Sequence, residues 1–258
     1  MSQSSPPASE RAGVRAPDPP GRLKRWFIRY LTRLVFGTYL DVKYEGLENL
    51  PEPPYVLNFN HPGWADPFLI LGWWPRRHRF FVFGPKEEDM SVGWRNKVIA
   101  WSHGAVPFKP SKSDLVDAAK RAQAVIDAGF VLAIAGEGRL SDREGEIVPL
   151  QEGVAFFALR AQTPIVPVGI IGTRWVRLRK KVLVRVGKTI AMNGRRANRA
   201  GVDSLKVELT EAMNALLAGA PDEPPPGRMG RWLTDLFADR PWLNQPRAED
   251  TPPAKKPD

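Results

Sequence analysis

Cysteine is absent from the 258 residues, which excludes disulfides, thiolate metal sites and a cysteine nucleophile. Histidine is scarce. The three present, His61, His78 and His103, show no metal-type spacing, so no zinc centre is expected. No apolar run approaches the roughly eighteen residues needed to cross a bilayer, and the first residues lack the apolar core of a secretion signal. There is no Walker-type loop, and a Gly-x-Gly-x-x-Gly fingerprint fails because Ser141 follows Gly136 and Gly138 in its last position. Acidic side chains are in deficit, 28 against 38 lysines and arginines, giving a formal charge of +10. That balance favours anionic partners: phospholipid head groups, nucleic acid or phosphorylated substrates.

What is present is enough chain for one large α/β domain. Many of the 26 prolines lie near the two ends. Residues 1–21 and 245–258 have little to bury and are expected to be disordered. Between them, residues 22–40 read as an amphipathic helix, 41–220 as the main domain, and 221–244 as a linker followed by a second amphipathic helix. In the first helix Leu23, Trp26, Phe27, Tyr30, Leu31, Leu34 and Val35 share one face, with Arg22, Arg25, Arg29 and Arg33 opposite. Such a helix suits the head-group region of an anionic membrane. The alternative is that its apolar face packs on the domain and its arginines are solvated.

The stretch Tyr55-Val-Leu-Asn-Phe-Asn-His61-Pro-Gly-Trp-Ala-Asp66-Pro-Phe-Leu-Ile70 stands at the centre of the chain's organisation. Tyr55 to Phe59 predicts a strand, and the chain breaks at Asn60-His61-Pro62-Gly63. Asp66-Pro67 then predicts a helix start with Asp66 at the N-cap, and Pro75 ends that helix. An imidazole and a carboxylate are thus expected on a strand-to-helix turn, where open α/β sheets place their chemistry. A carboxylate on one ring nitrogen fixes the tautomer and orientation that the other nitrogen needs to take a proton from a hydroxyl. A bare N-cap and a polar turn residue would show the same spacing.

Asn60-His61-Pro-Gly-Trp-Ala-Asp66 resembles the His-x-x-x-x-Asp motif of the glycerolipid acyltransferases, the group that includes 1-acylglycerol-3-phosphate acyltransferase. The resemblance runs from about Tyr44 to about Ile190. Gly104-Ala-Val-Pro-Phe-Lys109-Pro110 is similar to the second motif, but Pro110 stands where an arginine commonly contacts the acceptor's phosphate. Lys109 and Lys112 are close enough in sequence to supply charge, as point charges rather than a fork. Gly136-Glu137-Gly138-Arg139-Leu140-Ser141 resembles the third motif, matching at Glu137, Gly138 and Ser141. Its glycines are expected to let backbone amides approach a ligand, with Arg139 as a planar cation and Glu137 as an acceptor for a hydroxyl. Pro164-Ile-Val-Pro167-Val is similar to the fourth, a buried strand.

The resemblance implies a mixed, mostly parallel sheet covered by helices on both faces, glycerol-3-phosphate acyltransferase-like. It implies transfer of an acyl group from acyl-CoA or acyl-carrier protein to a lysophospholipid. His61 would be general base and Asp66 would orient it. Glu137, Gly138, Arg139, Lys109 and Lys112 would position the acceptor. No bound cofactor or metal is expected, and the protein is expected on the cytoplasmic face of a membrane. A catalytically inactive lipid- or carrier-binding protein on the same fold is the alternative. Nucleic-acid binding rests on charge alone and is not expected, for lack of any motif. The basic run from Arg174 to Lys188 is a candidate site for coenzyme A phosphates, carrier protein or lipid, or else a solvated strand edge. His78 and His103 read as surface or turn residues.

Overall fold

In the computed structural model the apolar, β-branched runs become one seven-stranded sheet, and segments of helical period lie against it. The structure describes residues 21–86, 101, 105–108, 112–138, 141, 144–221 and 226–235. In chain order the elements are α1 (Arg22–Tyr39), β1 (Leu40–Glu45), a 3₁₀ turn (Leu47–Asn49), β2 (Val56–Phe59), α2 (Asp66–Trp73), β3 (Phe80–Lys86) and β4 (Ala105–Phe108). Then come α3 (Lys112–Asp127), β5 (Val131–Ala135), α4 (Glu152–Ala161), β6 (Ile165–Ile171), β7 (Lys180–Val186), α5 (Arg199–Leu217) and α6 (Arg228–Asp235). The second amphipathic helix expected within residues 221–244 is described only as far as Asp235, and His103 lies outside the described residues.

Strand order is β1-β7-β6-β2-β5-β3-β4. Among the described strands β6 and β7 alone pair antiparallel, and the other neighbours run parallel. Side chains alternate across the sheet, so each strand feeds two cores. Leu57, Phe59, Val131 and Ala133 meet Ile28 and Phe36 of α1 and Phe68, Leu69 and Leu71 of α2. On the opposite face Val56, Leu132 and Ile134 meet Val125 of α3, Val154 and Phe157 of α4, and Leu205, Leu209 and Met213 of α5. Helices therefore cover both faces, and β2, β5 and β6 are buried between them.

α1 turns inward a narrow strip of Ile28, Thr32 and Phe36 flanked by arginines. The last carbonyls of α2 have no partner within that helix and need donors. Arg29 Nη1 donates to Leu71 O at 3.1 Å and Arg33 Nε to Gly72 O at 2.7 Å. Ile28, Thr32 and Phe36 are buried beside these arginines. The other face, from Leu23 at 79 % exposure through Trp26, Phe27, Tyr30, Leu31 and Leu34 to Val35 at 50 %, is left open. This overturns the alternative in which the apolar face packs on the domain. No helix among the described residues is long and apolar enough to cross a membrane.

Two further expectations are corrected. His78 is buried, not a surface residue. Trp74 Nε1 donates to the Tyr55 hydroxyl at 2.7 Å. Arg77 Nε donates to His78 Nε2 at 3.1 Å, so in the neutral ring Nδ1 carries the proton and donates to the same hydroxyl at 2.8 Å. β7 is not a strand edge, because β1 and β6 flank it. Its Arg185 is engaged by the fold: Nε donates to Glu45 at 3.2 Å, and Nη1 donates to the carbonyls of Leu216 and Ala218 at the end of α5.

Candidate active site

β2, β5 and β6 are adjacent and parallel, so their carboxyl ends deliver three loops to one place. From β2 comes the turn 60–65, from β5 the residues Gly136, Glu137, Gly138 and Ser141, and from β6 the pair Gly172-Thr173. This is the edge where open α/β sheets bind ligands.

Asn60 starts the turn. Its Nδ2 donates to Ile170 O at 2.9 Å and its Oδ1 accepts from Ile170 N at 2.7 Å, so a side-chain amide continues the pairing of β2 with β6 after the backbone has left the sheet. His61 follows. Its Nδ1 lies 2.7 Å from Asp66 Oδ2. A carboxylate only accepts, so the Nδ1 proton points at Asp66 and, in the neutral ring, the lone pair sits on Nε2. Asp66 is fully buried, whereas the His61 side chain keeps 24 % of its surface open.

Asp66 is not the helix N-cap. Ala65 holds that position, Asp66 is the first helical residue and Pro67 the second. The carboxylate turns back into the loop instead. Oδ2 also accepts from Gly63 N at 2.9 Å, and Oδ1 accepts from the Thr173 hydroxyl at 2.5 Å. Three donors thus satisfy a buried charge. Gly63 must be small for this to happen: a Cβ there would meet Thr173 O at 2.1 Å.

Glu137 is 1 % exposed, and its carboxylate is occupied by the chain itself. Oε2 accepts from His61 N at 3.2 Å and from Ser141 Oγ at 2.5 Å, while Oε1 accepts from Val148 N at 3.0 Å. Burial pushes its pKa up, and the bonds from Ser141, Val148 and His61 N oppose that rise. Ser141 N closes the link by donating to His61 O at 2.8 Å. Glu137 therefore grips the main chain of His61 and is not open to a bound hydroxyl as expected.

The expected free amides of this turn are also taken: Gly136 N donates to Phe59 O and Gly138 N to Ala135 O. Gly138 is exposed at φ 68, a left-handed conformation that glycine adopts without strain. Arg139 and Lys109 lie outside the described residues. Lys112 opens α3, behind β4 at the sheet edge. β5 and β3 stand between β4 and β2, about 14 Å at roughly 4.8 Å per strand. The structure brings together His61, Asp66, Glu137 and Gly138, and sets Lys112 apart.

Two residues of the constellation were not anticipated from sequence. Thr173 reaches Asp66 from a position 107 residues away. Glu144 braces it from behind, Oε1 accepting from Gly172 N at 2.5 Å and Oε2 from Arg174 N at 3.3 Å. Burial raises the Glu144 pKa first, and the Asp66 charge adds to the rise. A hydroxyl one glycine beyond a wholly buried strand was the one sequence signal for Thr173; Glu144 carried none.

A family model described as Acyltransferase matches residues 41–171. A chloroplastic 1-acyl-sn-glycerol-3-phosphate acyltransferase of Brassica napus is 27 % identical over 159 residues, 59 % of this chain and 44 % of that protein. The chain thus spans less than half the length of that curated relative. The crystal structure of the 1-acyl-sn-glycerophosphate (LPA) acyltransferase PlsC of Thermotoga maritima matches with a TM-score of 0.58 at 20 % identity. The match covers 75 % of this chain and 80 % of that one, and it is a likeness of fold.

Proposed function

The chain belongs to the acyltransferase family, and we propose that it moves a fatty acyl group from acyl-CoA or acyl-carrier protein to the free hydroxyl of a lysophospholipid, 1-acylglycerol-3-phosphate first among them. The observation that carries this reading is the 2.7 Å contact between His61 Nδ1 and Asp66 on an open, three-loop edge. The curated relative, named for the same reaction class, supports the choice of acceptor.

His61 Nε2 takes the proton of the acceptor hydroxyl as its oxygen attacks the thioester carbonyl. Asp66 stabilises the imidazolium that forms. The new C–O bond replaces the C–S bond, and the departing thiolate recovers the proton from the ring. With no cysteine in the chain, an acyl-cysteine intermediate is excluded, and direct attack of acceptor on donor is the route proposed over passage through another nucleophile. Glu137 fixes the main chain of His61. Gly138, Arg139 and Lys109 are the residues assigned to the acceptor's polar end, and Lys112, set apart at the sheet edge, is left out of that role. The exposed apolar stripe of α1 supports a bilayer surface as the place of reaction.

The test is purified full chain with radiolabelled acyl-CoA or acyl-carrier protein and a panel of lysolipids. His61→Ala is expected to lose about 10²–10⁴-fold in turnover while its melting curve stays that of a folded protein. Near-normal turnover in folded His61→Ala refutes the assignment. Pro110, in the place of the family's phosphate-binding arginine, favours the second reading, an inactive lipid binder. Lysolipid binding by the unaltered chain without turnover of any acceptor would select it.

A further inference from the structure

The inward face of α1 meets a second set of arginines. Behind α2 the chain turns through Pro75 and enters β3 carrying Arg76, Arg77 and Arg79, all exposed. Together with Arg22 and Arg25 of α1 they line a groove of about 650 Å³, walled on one side by Leu23 and Trp26. Arg29, Arg33 and Arg76 continue it along the helix beside Trp26 and Tyr30. Among the described residues one carboxylate contacts the arginines of this groove, Glu52, which pairs with Arg77 at 3.0 Å. Arg25 Nε is buried and has no hydrogen-bond partner among the described residues.

The cations work against one another. Arg29 is held down to about 10, by burial first and then by Arg33, Arg76 and Arg25. Arg25 is lowered by burial, Arg79 and Arg22. Clustered guanidinium groups, one of them with a buried donor left unpaired, are what a phosphate oxygen neutralises. The rim of the groove points to where that phosphate is carried. Trp26 and Tyr30 stack at 5.8 Å on the exposed face beside it, continuous with Leu23, Phe27, Leu31 and Leu34. An anion flanked by a wide apolar strip matches a phospholipid in a bilayer rather than a free phosphate.

The groove is also remote from the chemistry. His61 precedes the first residue of α2 and Arg76, Arg77 and Arg79 follow its last, so the helix, about 12 Å long at 1.5 Å per residue, stands between His61 and that end of the groove. An acceptor phosphate a few bonds from the reacting hydroxyl does not span both.

We propose that the groove formed by Arg22, Arg25, Arg76, Arg77 and Arg79 is a binding site for the head-group phosphate of an anionic membrane phospholipid, separate from the acceptor at His61. This rests on the reading of α1 as a membrane-facing helix and makes that contact selective for charge.

The test uses the full chain and flotation on phosphatidylcholine vesicles with and without phosphatidylglycerol. Arg76→Gln/Arg79→Gln alters two exposed side chains, and its circular dichroism and melting point serve as the folding control. The unaltered chain is expected to prefer the anionic vesicles. The double variant should lose about thirtyfold in affinity for them, about fivefold for each charge removed, with little change on neutral ones. Leu31→Asp/Leu34→Asp should weaken both kinds. If the unaltered chain binds both vesicles alike and the arginine variant is unaffected, the groove is not a head-group site while the membrane reading stands. If it binds neither, the membrane reading fails and the inference with it. Loss of binding to an acidic carrier protein, with vesicle binding intact, would assign the groove to the donor and overturn the proposal.

Discussion

Thr173 Oγ1 donates to Asp66 Oδ1, while the other oxygen of the same carboxylate faces His61 Nδ1. The hydroxyl of one strand end thus sets the acid that sets the imidazole. Thr173→Val removes a hydrogen bond to a charged group, about 1.5–3 kcal/mol where the geometry is good. Turnover is expected to fall tenfold or more on that scale, with acceptor KM little changed, and Thr173→Ser to restore it. A Val variant with full kcat would show that Gly63 N alone suffices to hold Asp66.

Glu137 separates two roles by kinetics. If its carboxylate serves only to grip His61 N, Ser141 and Val148, Glu137→Ala should lower the melting point and kcat while acceptor KM stays within about twofold. A large rise in KM with stability unchanged would place the acceptor on this carboxylate.

At Gly63 the issue is space. A methyl group there would press on the Thr173 carbonyl at 2.1 Å, and backbone is what must move. Gly63→Ala is expected to cost about 1–3 kcal/mol in a urea unfolding series and to reduce turnover through the displaced Thr173. Unchanged stability and turnover together would count against the packing described.

His78 predicts a pH dependence of stability. Burial, with the Arg77 charge adding, holds this imidazole below its ordinary pKa. The unfolded chain therefore binds the proton more readily, and stability rises with pH through that window. The contribution is complete above about 6.5, the ordinary value, and is lost as pH falls toward the folded one. His78→Gln, whose amide still offers a donor to the Tyr55 hydroxyl, should show a flatter fall in urea midpoint between about pH 7 and pH 5. Parallel curves for the two proteins would remove His78 as the cause.

How much of this was legible in the sequence follows from how far apart the partners lie in the chain. β5 and β6 could be read because continuous apolar runs between turn signals leave few other structures. His61 and Asp66 could be paired because five residues and one turn separate them. Thr173 and Glu144 could not, since only the sheet order brings β6 beside β2. Asp66-Pro67 carries the same signal whether the acid caps the helix or begins it. What decides is the Gly63 amide, three residues back. The two faces of α1 were plain from helical period, but period does not say which face turns inward. The unpaired carbonyls of Leu71 and Gly72 settle that. Glu137 was recognised as important from its motif, yet its own hydrogen bonds show a grip on the protein where a grip on substrate was expected.

α2 also works as a ruler. One end carries the acid that orients His61, and the other is bolted to α1 through Arg29 and Arg33. Its eight residues therefore fix the height of the imidazole above whatever plane α1 rests on. Inserting a turn would lift the ring by about 5.4 Å, past any alcohol whose depth in the lipid is set by its own acyl chain.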